Sequence, residues 1–135
     1  MLVYVRGAGD IATGIALRLH RCGMQVVMAD LAVPTSIRRT VCFSEAIRLG
    51  ETTVEDVRGV LCADAAAVRA AVAAGDVAVV VDAEARMAPE LAPDVLVDAI
   101  LAKKNLGTTR GMAPVVIGVG PGFTAQVDVD AAVET

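Results

Sequence analysis

The chain has 135 residues and a formal net charge of −4, and 56% of it is hydrophobic with only 2% aromatic. That length fits a single domain, residues 1–135, able to bury about two-thirds of the surface of its unfolded chain. The acidic balance, with a pI near 4.9, argues against nucleic acid as a partner, and a core so poor in aromatics must be built from Val, Ala, Leu and Ile, as buried parallel strands require.

Leu2 to Arg6 reads as the first strand and runs straight into Gly7-Ala8-Gly9-Asp10. Residues 10–22 continue with helical spacing, with Ile11, Ile15 and Leu19 as the apolar stripe and Gly23 as a left-handed cap. Gln25 to Ala29 is the second strand and ends on Asp30. Pro34-Thr35-Ser36 signals a helix start, and the helix is expected to run to Gly50. Glu51 to Val57 alternates as a hairpin or edge strand, and Val60-Leu61-Cys62 is the next strand candidate. Asp64 is placed to cap an alanine-rich helix that Gly75 stops. A buried strand over 76–82 leads to a loop around Arg86 to Pro93 and a strand over 95–98. A polar turn follows at Lys103, Lys104, Asn105 and Gly107; Val115–Val119 and Val127–Val133 read as the last strands. Strands alternating with helices predict an α/β fold: a Rossmann-like, doubly wound, mostly parallel sheet in three layers.

The mean hydropathy of +0.63 is high. The most apolar stretch, Val60 to Ala83, is however broken by Asp64, Arg69, Asp76 and Asp82, so the roughly 20 apolar residues of a membrane span are not reached. Three cysteines, Cys22, Cys42 and Cys62, have no ligand spacing. They read as reduced, mostly buried thiols of a cytoplasmic protein without a signal peptide or a metal site.

The strand, glycine turn and helix at the start form the G-x-G-x-x-A version of a nucleotide-binding motif. Gly7 permits the tight turn, Gly9 leaves room for a pyrophosphate, and Ala12 keeps the helix close to the strand. The free N–H groups at the helix start face the anion, and Ala8, Asp10 and Ile11 join Gly7, Gly9 and Ala12 as cofactor-binding candidates. Asp30, 23 residues after Gly7, is placed to accept both ribose hydroxyls of an adenosine and to repel a 2′-phosphate. The cofactor expected is NAD or a related adenine nucleotide, although Arg38 and Arg39 blur the choice against NADP.

Arg6 ends an otherwise apolar strand. It is set either to neutralise a phosphate or carboxylate or to pair with a strand-end Asp. Asp82 and Asp98 stand at the strand ends where open α/β sheets bind ligands; the plainer reading is that they cap turns, and the recurring Val-Asp-Ala at 81–83, 97–99 and 129–131 fits either. Lys103 and Asp98 are weak catalytic candidates. Asn105, Gly120 and Gly122 are candidates for the substrate or anion side, together with Arg6, Arg38 and Arg39; a solvated loop and a tight turn are the plain alternatives. His20, late in the first helix, is placed away from the motif.

Longer stretches resemble one family. Residues 5–16, Pro34 to Val41, Phe43 to Ala46, Val97 to Thr108, Met112-Ala113-Pro114, Gly120 to Phe123, Val127 to Asp130 and Val133 to Thr135 are similar to the selenium-dependent molybdenum hydroxylase accessory (maturation) family of bacteria. The resemblance spans nearly the whole chain. It implies a Rossmann-like domain that helps assemble a molybdenum hydroxylase, with that apoprotein and a nucleotide as partners and a contact to the molybdenum cofactor on the side of Arg6, Asp98, Lys103 and Asn105. It supplies no established catalytic residue. Members usually continue with a Gly- and His-containing segment and a lipoyl-like region, so the expectation is the N-terminal part of a longer architecture or else a shortened member. Two further readings stand beside it: an NAD-dependent oxidoreductase acting on a small substrate, and a ligand-free scaffold. The high apolar content also points to a homodimer.

Overall fold

The computed structural model describes residues 1–36 and 39–135, and the side chain of Arg39 is likewise outside the described residues. Its centre is β1 (Leu2–Arg6), α1 (Asp10–Arg21) and β2 (Gln25–Asp30), a parallel unit with strands in register from Leu2↔Gln25 to Arg6↔Ala29. α1 stops in a Schellman turn: Gly23 takes φ +88°, the Gly23 N–H donates to His20 O, and the Met24 N–H donates to Leu19 O. The face α1 buries is Ala12, Thr13, Ala16 and Leu17. That corrects the expected stripe: Ile15 and Leu19 flank the core and Ile11 is 43% exposed, because small residues let the helix lie close to the sheet.

The expected helix reaching Gly50 is replaced by a 3-10 turn at Arg39–Val41 and a short α2 (Glu45–Leu49). Tertiary bonds hold this segment: the Phe43 N–H donates to Thr13 Oγ1 and the Ser44 N–H to Ala8 O. β3 (Glu51–Val54) and β4 (Val57–Leu61) form the antiparallel hairpin at one edge. α3 (Ala65–Ala73) begins at Asp64, whose side chain accepts from the Ala67 N–H at 2.8 Å, and leads to β5 (Val77–Val81). The expected loop before Pro93 contains α4 (Ala88–Leu91). β6 (Val95–Asp98) and β7 (Val115–Val119) follow. The last strand, β8, is only Ala131–Val133, parallel to β7. Residues 126–128 instead form a turn, after which Asp130 accepts the Val116 N–H at 2.7 Å.

Among the described residues the sheet has eight strands in the order β3-β4-β5-β2-β1-β6-β7-β8, parallel except for the hairpin. Val3, Val5, Val26, Met28, Val77 and Val79 pack under α1 and α2 on one face. Tyr4, Val27, Ala78, Val80, Leu96 and Val116 pack under α3 and α4 on the other. Alternate residues of the same strands are thus buried in two cores, which is why the strands read as unbroken apolar runs. This is the expected three-layer, Rossmann-like α/β fold. No described helix is long and apolar enough to cross a membrane.

Candidate functional site

From β1 the chain order runs one way to β2 and returns to β6 on the other side. At such a switch point the loops after neighbouring strands part and leave a crevice at the strand C-termini. A cleft of about 850 Å³ opens there, walled by the 6–12 segment, the end of β2, residues 83–84 after β5, and residues 99–101 and 106 after β6.

The glycine turn forms its near wall. Gly7 takes φ +105°, and a Cβ at this position would lie 2.8 Å from Ala99 O; the turn therefore needs glycine on both counts. Gly9 differs. It takes φ −74° as the N-cap of α1, and the nearest described atom to a Cβ there is Ser36 Oγ at 3.8 Å. The fold leaves that space open, and it belongs to the cleft. The Ser36 and Ser44 hydroxyls, 2.8 Å apart, stand beside it. The Ile11 N–H donates to the Asp10 carboxylate at 2.9 Å and the Ala8 N–H to Asp30 at 3.1 Å, so neither is the free donor expected at the helix start.

Asp30 is half-buried at the end of β2, beside the glycine turn. One carboxylate oxygen accepts the Ala8 N–H at 3.1 Å and the other the Leu31 N–H at 2.8 Å. Each oxygen has lone-pair capacity for a further donor, so the group is oriented by the backbone while still able to accept hydroxyls.

Arg6 lies under the cleft and is 3% exposed. Nη1 donates to Thr108 Oγ1 at 2.8 Å, and Nη2 donates to Ala83 O at 2.7 Å and Leu106 O at 3.1 Å. Asp98, next to it in register, lies 3.9 Å away and accepts Thr108 Oγ1 at 2.6 Å and the Ile100 N–H at 3.1 Å. Arg6 thus makes the strand-end pairing, and its side chain also lines the cleft with a buried Nε that has no partner among the described residues. Its guanidinium also ties the loop after β5 to the loop after β6. Asp82 accepts from the Tyr4 hydroxyl and from the Arg86 and Met87 N–H groups. Burial, and then this contact with the carboxylate, push the Tyr4 hydroxyl far above its ordinary pKa. With Asp130 holding Val116, the Asp of each of the three Val-Asp-Ala repeats is a carboxylate that organises backbone.

Gly7, Ala8, Gly9, Asp10, Ile11, Ala12, Asp30 and Arg6 therefore meet at one cleft. Other candidates stand apart from its described lining. Asp98 is 1% exposed beneath it. Lys103 lies outside it, on the same loop, at φ +67°. Asn105 is a loop staple, donating to Thr108 O and to the Asp128 carboxylate and accepting the Thr108 N–H. Gly120 and Gly122 approach the protein's own chain: a Cβ at Gly122 would lie 2.6 Å from Lys104 Cα, and one at Gly120 2.5 Å from Leu101 Cδ2. The Arg38 and Arg39 side chains lie outside the described residues. His20 contacts Gly75 O at the far end of α1. Sequence reasoning missed the wall made by Ile100, Leu101 and Leu106, which carries no chemical signature, and Thr108, whose partners are brought in from other strands.

No protein-family model matches the chain, and no solved structure matches it. The chain is similar to YqeB. That uncharacterized protein of Escherichia coli (strain K12) is 49% identical over 134 residues, which is 99% of this chain and 25% of the relative. The chain thus spans about a quarter of the length of the curated relative it matches.

Proposed function

We propose that the cleft binds an adenine-containing nucleotide, NAD or a close relative, and that the protein serves as an accessory factor in the maturation of a molybdenum hydroxylase. The observation that carries the nucleotide reading is the contrast between the two glycines. Gly7 is demanded by the fold, whereas the space beside Gly9 is left open by the fold and faces the cleft. The residues present fit such a ligand. The start of α1 offers a favourable end of the helix dipole to a pyrophosphate, and Asp30 is oriented to accept ribose hydroxyls. A nicotinamide dinucleotide, when bound, supplies hydride chemistry. Within the described lining the ionisable side chains are Arg6, Asp10, Asp30 and Glu84. None comes from the apolar wall after β6, which favours a binding role over proton transfer to a small substrate. The accessory role is supported by the long stretches resembling the molybdenum hydroxylase maturation family.

Thermal-shift titration with NAD, NADP, FAD, ATP, S-adenosylmethionine and molybdopterin nucleotides tests the reading. Stabilisation is expected with NAD, because ligand that binds only the folded state raises its stability. A weaker response to NADP is expected from Asp30. No shift with any of the six would overturn it.

A further inference from the structure

The floor of the cleft holds a charged donor that the fold leaves without an acceptor. Arg6 lines the cleft at the end of β1, where the chain enters the glycine turn. Its Nη1 donates to Thr108 and its Nη2 to Ala83 O and Leu106 O. Its Nε is buried and has no partner among the described residues. A buried donor on a charged group is costly to leave unmatched, and the Nη bonds fix the plane of the guanidinium, so Nε cannot turn to another group. Arg6 is also the one cation of the described lining, which otherwise carries Asp10, Asp30 and Glu84. Glu84 faces solvent and is paired with Arg86 at 2.9 Å. Asp98, 3.9 Å from Arg6, offsets part of the charge but does not reach Nε. The start of α1, for its part, has the Ala8 and Ile11 N–H groups engaged by Asp30 and Asp10.

We infer that Arg6 Nε donates to a phosphate oxygen of the ligand in this cleft. The identity of that ligand rests on the nucleotide reading, under which the oxygen belongs to the pyrophosphate seated beside Gly9 on the same turn. A phosphate oxygen suits the position because an N–H of a guanidinium bonds an anionic oxygen more strongly than a neutral one. Elsewhere on the described lining such an oxygen meets a carboxylate or a neutral group. Since Nε is buried, the contact requires the loop carrying Leu106 to shift slightly outward. Leu106 is the part suited to yield: its side chain is 44% exposed, and its carbonyl accepts the longest of the three Nη bonds, 3.1 Å. Arg6 then binds and orients the phosphate, and the guanidinium keeps its proton throughout.

The Arg6 Nε–H gives its own signal in a proton–nitrogen correlation NMR spectrum, so the unmodified protein can be tested with ADP-ribose and with inorganic pyrophosphate. Binding is expected to move that signal to lower field and slow its exchange with water, together with a shift of the Gly9 amide. If ADP-ribose moves the Gly9 amide and leaves the Arg6 signal in place, the inference is overturned while the nucleotide reading stands. If pyrophosphate moves the Arg6 signal and ADP-ribose moves nothing, the phosphate contact holds and the nucleotide reading fails. If neither ligand moves either signal, both fail. Arg6→Lys keeps the cation and removes this N–H. Its affinity for ADP-ribose by isothermal titration should fall at least about tenfold, and affinity equal to wild type would also overturn the inference. Should that variant fail to fold, the NMR titration of the unmodified protein still decides.

Discussion

Gly7 and Gly9 carry the same side chain for different reasons, and substitution separates them. Gly7→Ala forces a Cβ at φ +105° to within 2.8 Å of Ala99 O. Strain of this kind costs about 2 kcal/mol or more, so the urea midpoint should fall clearly; an unchanged midpoint would mean the turn tolerates a side chain. Gly9→Val meets an ordinary φ of −74° and a nearest described atom at 3.8 Å. Its stability cost is that of a poor N-cap, at most about 1 kcal/mol. Nucleotide affinity should nevertheless fall more than about tenfold, because the valine occupies the space left for the ligand. Binding equal to wild type would remove Gly9 from the site. The glycine turn was legible because its requirements are local. Arg6 was not, since its partners lie 77 to 102 residues away and nothing near it in sequence names them.

Elements were readable wherever they carry their own stop and start signals. α3 is the clearest example, with Asp64 at its N-cap and Gly75, at φ +89°, closing a Schellman turn through Gly75 N–H to Val72 O and Asp76 N–H to Ala71 O. Asp64→Ala should lower stability by about 1 kcal/mol, read as a shift of the urea midpoint without a change of slope. A midpoint within error of wild type would show that α3 is held by packing of Ala65, Val68 and Val72 alone. The failures fall where tertiary bonds overrule local pattern. Phe43 and Ser44 are tied to Thr13 and Ala8, which interrupts the expected helix and leaves only α2 after them. Val127, 71% exposed, alternates like a strand residue, yet the turn of Thr124 N–H onto Asp128 removes it from the sheet.

Across the whole molecule the acidity has a structural use: carboxylates at strand ends and turns accept backbone N–H groups, as Asp30, Asp64, Asp82, Asp98, Asp128 and Asp130 each do. Composition gave the sign of the charge but not this use, nor the strand order that gathers β1, β2, β5 and β6 around one cleft. The turn before β8 shows the consequence for pH. Asp130 is held below its ordinary pKa by the Val116 N–H and by Arg110, and Asp128 by the Thr124 N–H and Asn105. A carboxylate whose pKa is lowered by folding contributes stability that is fully present above its unfolded value of about 3.9. That contribution is lost as pH falls through the lower folded value. Both groups should therefore stabilise the β7–β8 end at neutral pH and release it in acid. Urea unfolding of wild type and Asp130→Asn at pH 7, 5, 4 and 3 isolates the effect from the other titrating groups. Wild type should be the more stable at pH 7 and 5, and the gap should narrow below pH 4 as its carboxylate takes up a proton and comes to resemble the amide. The contribution is small, since both side chains are only half-buried and screening weakens it. A gap that stays constant down to pH 3 would show that the Val116 contact depends on shape and not on charge.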